Sequence, residues 1–277
     1  MSAARDPVPS DPAASPISER VIYGAALAVF AVAAAATIYF TRSMSGGMRM
    51  PGNWTMSMMW MVMPGQTWVT ALLAFVGMWL VMMVAMMLPS ALPMLLLYRR
   101  AAAFRGEPRL DVLTLAIATG YFLVWTLFGV VAYAAGVVIS RAAMNWVTLS
   151  KIVPLAVGLA LVFAGIYQLT PWKSACLKHC RDPLLLVAHH LHSSWRGALR
   201  LGIHHGLFCA ACCWGLMVIQ LVLGVMDLTV MSVVALIIAL EKVVPRGDVI
   251  ARVTGYAAVL AGLGLTWASL LGRNPGR

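Results

Sequence analysis

All five cysteines of this chain lie in two short stretches, and each stretch also holds histidine. Cys209, Cys212 and Cys213 fall in the apolar run LGIHHGLFCAACCWGLMVIQ, residues 201–220, with His204 and His205. Cys176, His179 and Cys180 lie one loop upstream in PWKSACLKHCRDP, residues 171–183. Thiolate with imidazole is the donor chemistry of Cu(I) or zinc. On a helix the spacing i, i+3, i+4 puts Cys176, His179 and Cys180 on one face. His205, Cys209 and Cys213 recur at i, i+4, i+8, with His204 and Cys212 on the flanking face. Met217 and Gln220 continue that stripe. Lys173, Lys178 and Arg181 lie beside the first group, where nearby cations favour thiolate.

A lone cysteine is an ordinary small core residue, and the upstream group also reads as a turn with incidental cysteines. Three cysteines and two histidines inside one apolar run argue for more, because ionisable groups within a span are functional candidates by default.

Methionine extends the soft-ligand set. Met78, Met82 and Met86 recur every four residues, with Met83 and Met87 beside them. A thioether stripe is either packing or a Cu(I) ladder. Residues 42–67 hold eight further methionines, at 44, 48, 50, 56, 58, 59, 61 and 63, with Trp54 and Trp60. That segment reads as an interfacial stretch, where Trp is enriched, or as a Cu(I)-collecting loop. Glu241 either pairs with Lys242 or Arg246 or serves as a proton or metal ligand. The candidate metal residues are therefore Cys176, His179, Cys180, His205, Cys209, Cys212, Cys213, Met82, Met86 and Glu241. Copper as Cu(I) is the expected metal, ahead of zinc.

Other chemistry finds little support. Cys209-Ala-Ala-Cys212 is formally CxxC, but a thioredoxin-like role needs a soluble fold around a helix N-terminus. A c-type haem needs His directly after the second Cys, and Cys213 stands there. No Walker A, HExxH or GxSxG motif occurs, so an enzyme is not the favoured reading.

These residues must be held by helices. The chain is 62% hydrophobic and 10% charged, with mean hydropathy +0.88, far from a soluble domain. Apolar runs of span length recur, and in lipid such runs are helices. The expected fold is all-α, a polytopic transmembrane bundle of about seven spans. They lie near residues 21–41, 68–97, 112–139, 152–170, 201–225, 229–244 and 249–271. Pro89 and Pro93 are expected to kink the second. Residues 1–20 read as a disordered tail, 21–67 as an uncleaved first span plus a Met-rich outer loop, and 68–277 as the metal-binding membrane domain. With the N-terminus cytoplasmic, 14 of the 20 Lys and Arg residues fall inside and six outside, a positive-inside bias. The net charge of +11 thus reflects loops, not nucleic-acid binding. In this topology Cys176–Cys180 faces the cytoplasm of an inner, plasma membrane. Cys209–Cys213 lies about 12–18 Å along its helix from the inner end.

Four segments resemble the family of predicted metal-binding integral membrane proteins known as domain of unknown function 2182. They are MMLPSALP (86–93), YQLTPWKSACLKHCRDP (167–183), GLFCAACCWGLM (206–217) and ALEKVVPRG (239–247). The resemblance covers roughly residues 68–271. It implies a multi-pass membrane protein that binds metal, with copper handling favoured, and carries that role to Cys176, His179, Cys180, Cys209, Cys212, Cys213 and Glu241. The leading expectation is Cu(I) handling as chaperone or importer, with the bilayer and a metalloprotein or metallochaperone as partners. A thiol redox enzyme using Cys209 and Cys212, and a structural subunit, are the alternatives.

Overall fold

The structure, a computed structural model, describes residues 16–44, 46–63, 65–181 and 194–271. It is all-α apart from one small hairpin. The order is α1 (Pro16–Ser43), β1 (Gly47–Met50), β2 (Trp54–Ser57), a 3-10 turn (Met58–Trp60), α2 (Trp68–Phe104), α3 (Leu110–Asn145), α4 (Val147–Gln168), α5 (Pro171–Arg181), α6 (Trp195–Gly224), α7 (Leu228–Val243) and α8 (Gly247–Leu270). Six of these, α1 to α4, α6 and α8, are long and apolar enough to cross a membrane. That is the make-up of a multi-pass membrane protein. The segment expected as the sixth of seven spans is α7. Its 16 residues rise about 24 Å, short of a hydrocarbon core of about 30 Å. Helix α1 begins at Pro16 and so takes in the end of the expected tail. Residues 1–15 and the histidines His189, His190 and His192 lie outside the described residues.

Side chains close the starts of α2, α6 and α7. Thr67 and Thr70 form a reciprocal capping box at α2. Asp227 Oδ1 accepts from the Thr229 and Val230 amides, at 2.8 and 3.0 Å, at α7. Helix α2 continues through Pro89 and Pro93. Ser90 Oγ there donates to the Met87 carbonyl, and packed neighbours and hydroxyls of this kind let bundle helices tolerate proline.

Small residues set the closest helix approaches. A Cβ on Gly202 of α6 would collide with the Ile117 carbonyl of α3, and one on Gly120 with the Leu199 carbonyl. Gly215, further along α6, faces Tyr167 and Ala164 of α4. Helices in lipid gain from such close contact by packing rather than by hydrophobic exclusion. The main core joins Met82, Met83, Met86 and Met87 of α2 to Tyr121 and Trp125 of α3 and to Cys209, Cys212, Cys213 and Met217 of α6.

The Met-rich linker contains the hairpin. Pro51 and Gly52 make its turn, with Gly52 at φ +102° and the Asn53 amide donating to the Met50 carbonyl at 3.2 Å, the pattern of a type II turn. Trp54 Nε1 donates to the Ser150 carbonyl at 3.0 Å, and Ser150 Oγ donates to the Pro51 carbonyl at 2.7 Å. These bonds fasten the hairpin to the start of α4. Met50 and Met56 are buried beside Ala143, so these two methionines pack.

Candidate metal centre

Helix α5 is short and polar, yet Lys173 is fully buried on it. Its Nζ lies 2.6 Å from Glu241 Oε2 of α7 and donates to the Cys212 carbonyl of α6 at 2.5 Å. Gln168, the last residue of α4, donates from Nε2 to Glu241 Oε1 at 2.9 Å. Buried charges persist only when paired and hydrogen-bonded, and here both carboxylate oxygens and the ammonium are engaged. One lysine thus ties α5 to both α6 and α7.

The expected local partners of Glu241, Lys242 and Arg246, are not the ones it takes. Adjacent residues on a helix point about 100° apart, so Glu241 and Lys242 serve different neighbours. Lys242 Nζ lies 2.8 Å from Cys209 Sγ and 3.4 Å from Ser90 Oγ. Tyr121 Oη is 2.9 Å from the same sulfur. Lysine only donates, so Cys209 Sγ is the acceptor. Arg181 Nη2 donates to the Val244 and Pro245 carbonyls, at 2.6 and 2.8 Å, which closes α5 against the end of α7. Among the described residues Lys242 thus reaches a cysteine sulfur, from a different helix than the basic residues flanking Cys176 and Cys180.

With α5 fixed this way, the two cysteine groups meet. Cys212 Sγ lies 3.7 Å from Cys180 Sγ and 3.4 Å from Cys213 Sγ. All five cysteines are free thiols. Cys209, Cys212 and Cys213 are buried, while Cys176 and Cys180 are half-buried and pack against the same core. His179 stacks on Phe208 with ring centroids 3.9 Å apart and meets His204 edge-on at 5.6 Å. His205 is buried and stacks on Tyr121 at 5.6 Å. His179 Nε2 and His205 Nδ1 are buried without a hydrogen-bond partner, a state native interiors rarely leave unexplained. Met82 Sδ accepts from Gln220 Nε2 at 3.5 Å, and Met86 is buried one turn further on.

Among the described residues, no group of three or more His, Cys, Asp and Glu side chains forms a ready-made metal shell. Cys212 nonetheless touches two other sulfurs. Two thiolates sharing one metal through bonds of about 2.3 Å sit roughly 4 Å apart, within a few tenths of an ångström of the Cys180–Cys212 separation. Structural zinc takes four such ligands, whereas thiolate and thioether donors suit Cu(I). The sulfur donors present fit a soft metal ion. Glu241, with both oxygens engaged, holds α5 rather than facing a sulfur.

Lys173, Gln168, Tyr121 and Lys242 were not among the candidates read from the sequence. The available signal was a lysine directly after a span and another beside Glu241, each an ionisable group that a membrane protein retains for a reason.

A family model described as PpoB2, copper chaperone, matches residues 76–265, a stretch that holds every cysteine. No curated protein and no solved structure matches the chain.

Proposed function

The chain belongs to the PpoB2 copper chaperone family, and on that premise we propose that it holds Cu(I) on Cys180, Cys212 and Cys213 for delivery to a metalloprotein. The supporting observation is the 3.7 Å approach of Cys180 to Cys212 across two helices. Copper is the cargo, so the site must bind and also release it. Cys180 sits on the short helix α5 and not on a span, so its withdrawal needs the Lys173–Glu241 pair to open rather than a span to unfold. A Cu(I) ion on three thiolates leaves two net negative charges, and the Lys242 ammonium, which reaches the neighbouring Cys209 sulfur, offsets one of them.

The remaining candidates take supporting parts. Cys209 links the sulfur group to Lys242 and Tyr121. His179, His205, Cys176, Met82 and Met86 are further donors around the same core, available as cargo arrives or leaves. Glu241 acts through Lys173. On the positive-inside charge bias the N-terminus is cytoplasmic and α5 faces the cytoplasm, with an inner, plasma membrane as the proposed location.

The test is copper content of the full chain, purified in detergent under anaerobic reducing conditions. Wild-type protein is expected to retain Cu(I), and Cys180→Ser with Cys212→Ser and Cys213→Ser to lose the ion held on these cysteines. Equal retention by wild type and triple variant would refute the reading. A reversible disulfide trapped without metal would favour the thiol redox enzyme instead.

A further inference from the structure

We propose a second Cu(I) site, built of methionine alone, in a cavity between the end of α1, the segment after the hairpin and the start of α2. The inference rests on the copper-handling reading above. The cavity is about 320 Å³ and is lined by Met44, Met58, Met59, Met61, Met63 and Met78. Five of these precede the residues matched by the family model, so the cavity is not part of the shared cysteine machinery.

The lining decides the ligand class. Among the described residues it contains no Asp, Glu, Lys, Arg, His or Cys, and its polar side chains are Ser43 and Gln66. Ser43 Oγ donates to the Phe40 carbonyl, and Gln66 Oε1 accepts from the Met63 amide, so both have local partners. Without carboxylates the cavity offers nothing to a hard divalent cation, and without donors of charge it offers nothing to an anion. Neutral thioethers are the ligands of a soft monovalent metal. Met59 and Met78 also pack against the main core and Met61 against the hairpin cluster, but unlike Met50 and Met56 none of the six is buried. Met44 and Met63 are exposed at 42% and 45% and form the mouth, while Met58, Met59, Met61 and Met78 are half-buried inside it.

The cavity also has a way inward. Met78 begins the stripe that continues through Met82 and Met86, both buried in the main core. One further turn is Ser90, which meets Lys242, which meets Cys209. The distance from Met78 to Ser90 along α2 is about 18 Å. A weak thioether site at the outer end and a tighter thiolate site at the inner end make a gradient that draws Cu(I) one way.

The test loads the full chain in lipid nanodiscs with Cu(I) under anaerobic conditions and measures copper per chain. Four proteins are compared: wild type, Met58→Leu/Met59→Leu/Met61→Leu/Met78→Leu, Cys180→Ser/Cys212→Ser/Cys213→Ser, and the two sets combined. Leucine keeps the volume and apolarity of methionine, and unchanged helical circular dichroism confirms the fold. The expected contents are two, one, one and none. A methionine variant that holds as much copper as wild type overturns the cavity site, whatever the cysteine variant does; the cavity then serves an apolar molecule or none. A cysteine variant that holds as much as wild type overturns the proposed function and leaves the cavity site standing. The single change Met78→Leu, on the rigid helix, is expected to weaken retention at the cavity at least tenfold, and no change there also counts against it.

Discussion

Replacing Glu241 by Gln tests whether the buried ion pair sets the position of α5. Glutamine keeps the shape and can still bond Gln168, but it leaves the Lys173 ammonium fully buried against a neutral amide. Removing one partner of a buried pair costs about 3–5 kcal/mol, a large part of a total stability of about 5–15 kcal/mol. Lys173→Met removes the charge while keeping the apolar stem, and replacing both partners is expected to be much cheaper. In the Lys173→Met background the Glu241 carboxylate is itself left buried and unpaired, so Glu241→Gln should cost nothing further or stabilise. The coupling between the two changes is then about 3 kcal/mol or more. Titration with sodium dodecyl sulfate, followed by helical circular dichroism in a mild detergent, gives the four stabilities of the cycle. The Glu241→Gln protein should also lose copper, because Cys180 rides on α5. A Glu241→Gln cost below about 1 kcal/mol, with no coupling to Lys173, would refute the claim that this pair fixes α5.

Three other outcomes follow from the same structure. Lys242→Met removes a charge-assisted bond worth about 1.5–3 kcal/mol from Cys209 and is expected to lower Cu(I) affinity about 10- to 100-fold in competition with a chromogenic chelator; unchanged affinity would separate Lys242 from the site. Gly202→Val forces α6 away from the Ile117 carbonyl and should destabilise by about 1–3 kcal/mol, read by the same detergent titration, with a stability equal to wild type counting against the close crossing. Asp227→Ala removes both amide acceptors at the start of α7 and should cost about 1 kcal/mol, whereas Asp227→Asn should cost little.

The helices were legible because a membrane demands long apolar runs, and α1 to α4, α6 and α8 each supply one. The hairpin was not. Its Pro51-Gly52 turn is a strong local signal, but methionine at 48, 50 and 56 gives no clear alternation between apolar and polar faces. The cysteine groups were legible as donors and as single helix faces. Their meeting was not, because it depends on how α5 crosses α6 and on a lysine 68 positions from its carboxylate. Local spacing suggested Lys242 for Glu241, and the helix turns that side chain toward Cys209 instead. Of the eight methionines in the linker, Met50 and Met56 are buried, five line the cavity and Met48 is exposed.

X-ray absorption at the copper edge of the Cu(I)-loaded full chain tests the central claim most directly, that α5 and α6 share one ion through Cys180 and Cys212. In the background of Met58→Leu/Met59→Leu/Met61→Leu/Met78→Leu, which removes the methionine site, the account predicts a shell of sulfur, lost together with the bound copper in Cys212→Ser and reduced or lost in Cys180→Ser. A shell of nitrogen and oxygen with the cysteines intact, or a sulfur shell unchanged in both variants, would contradict it.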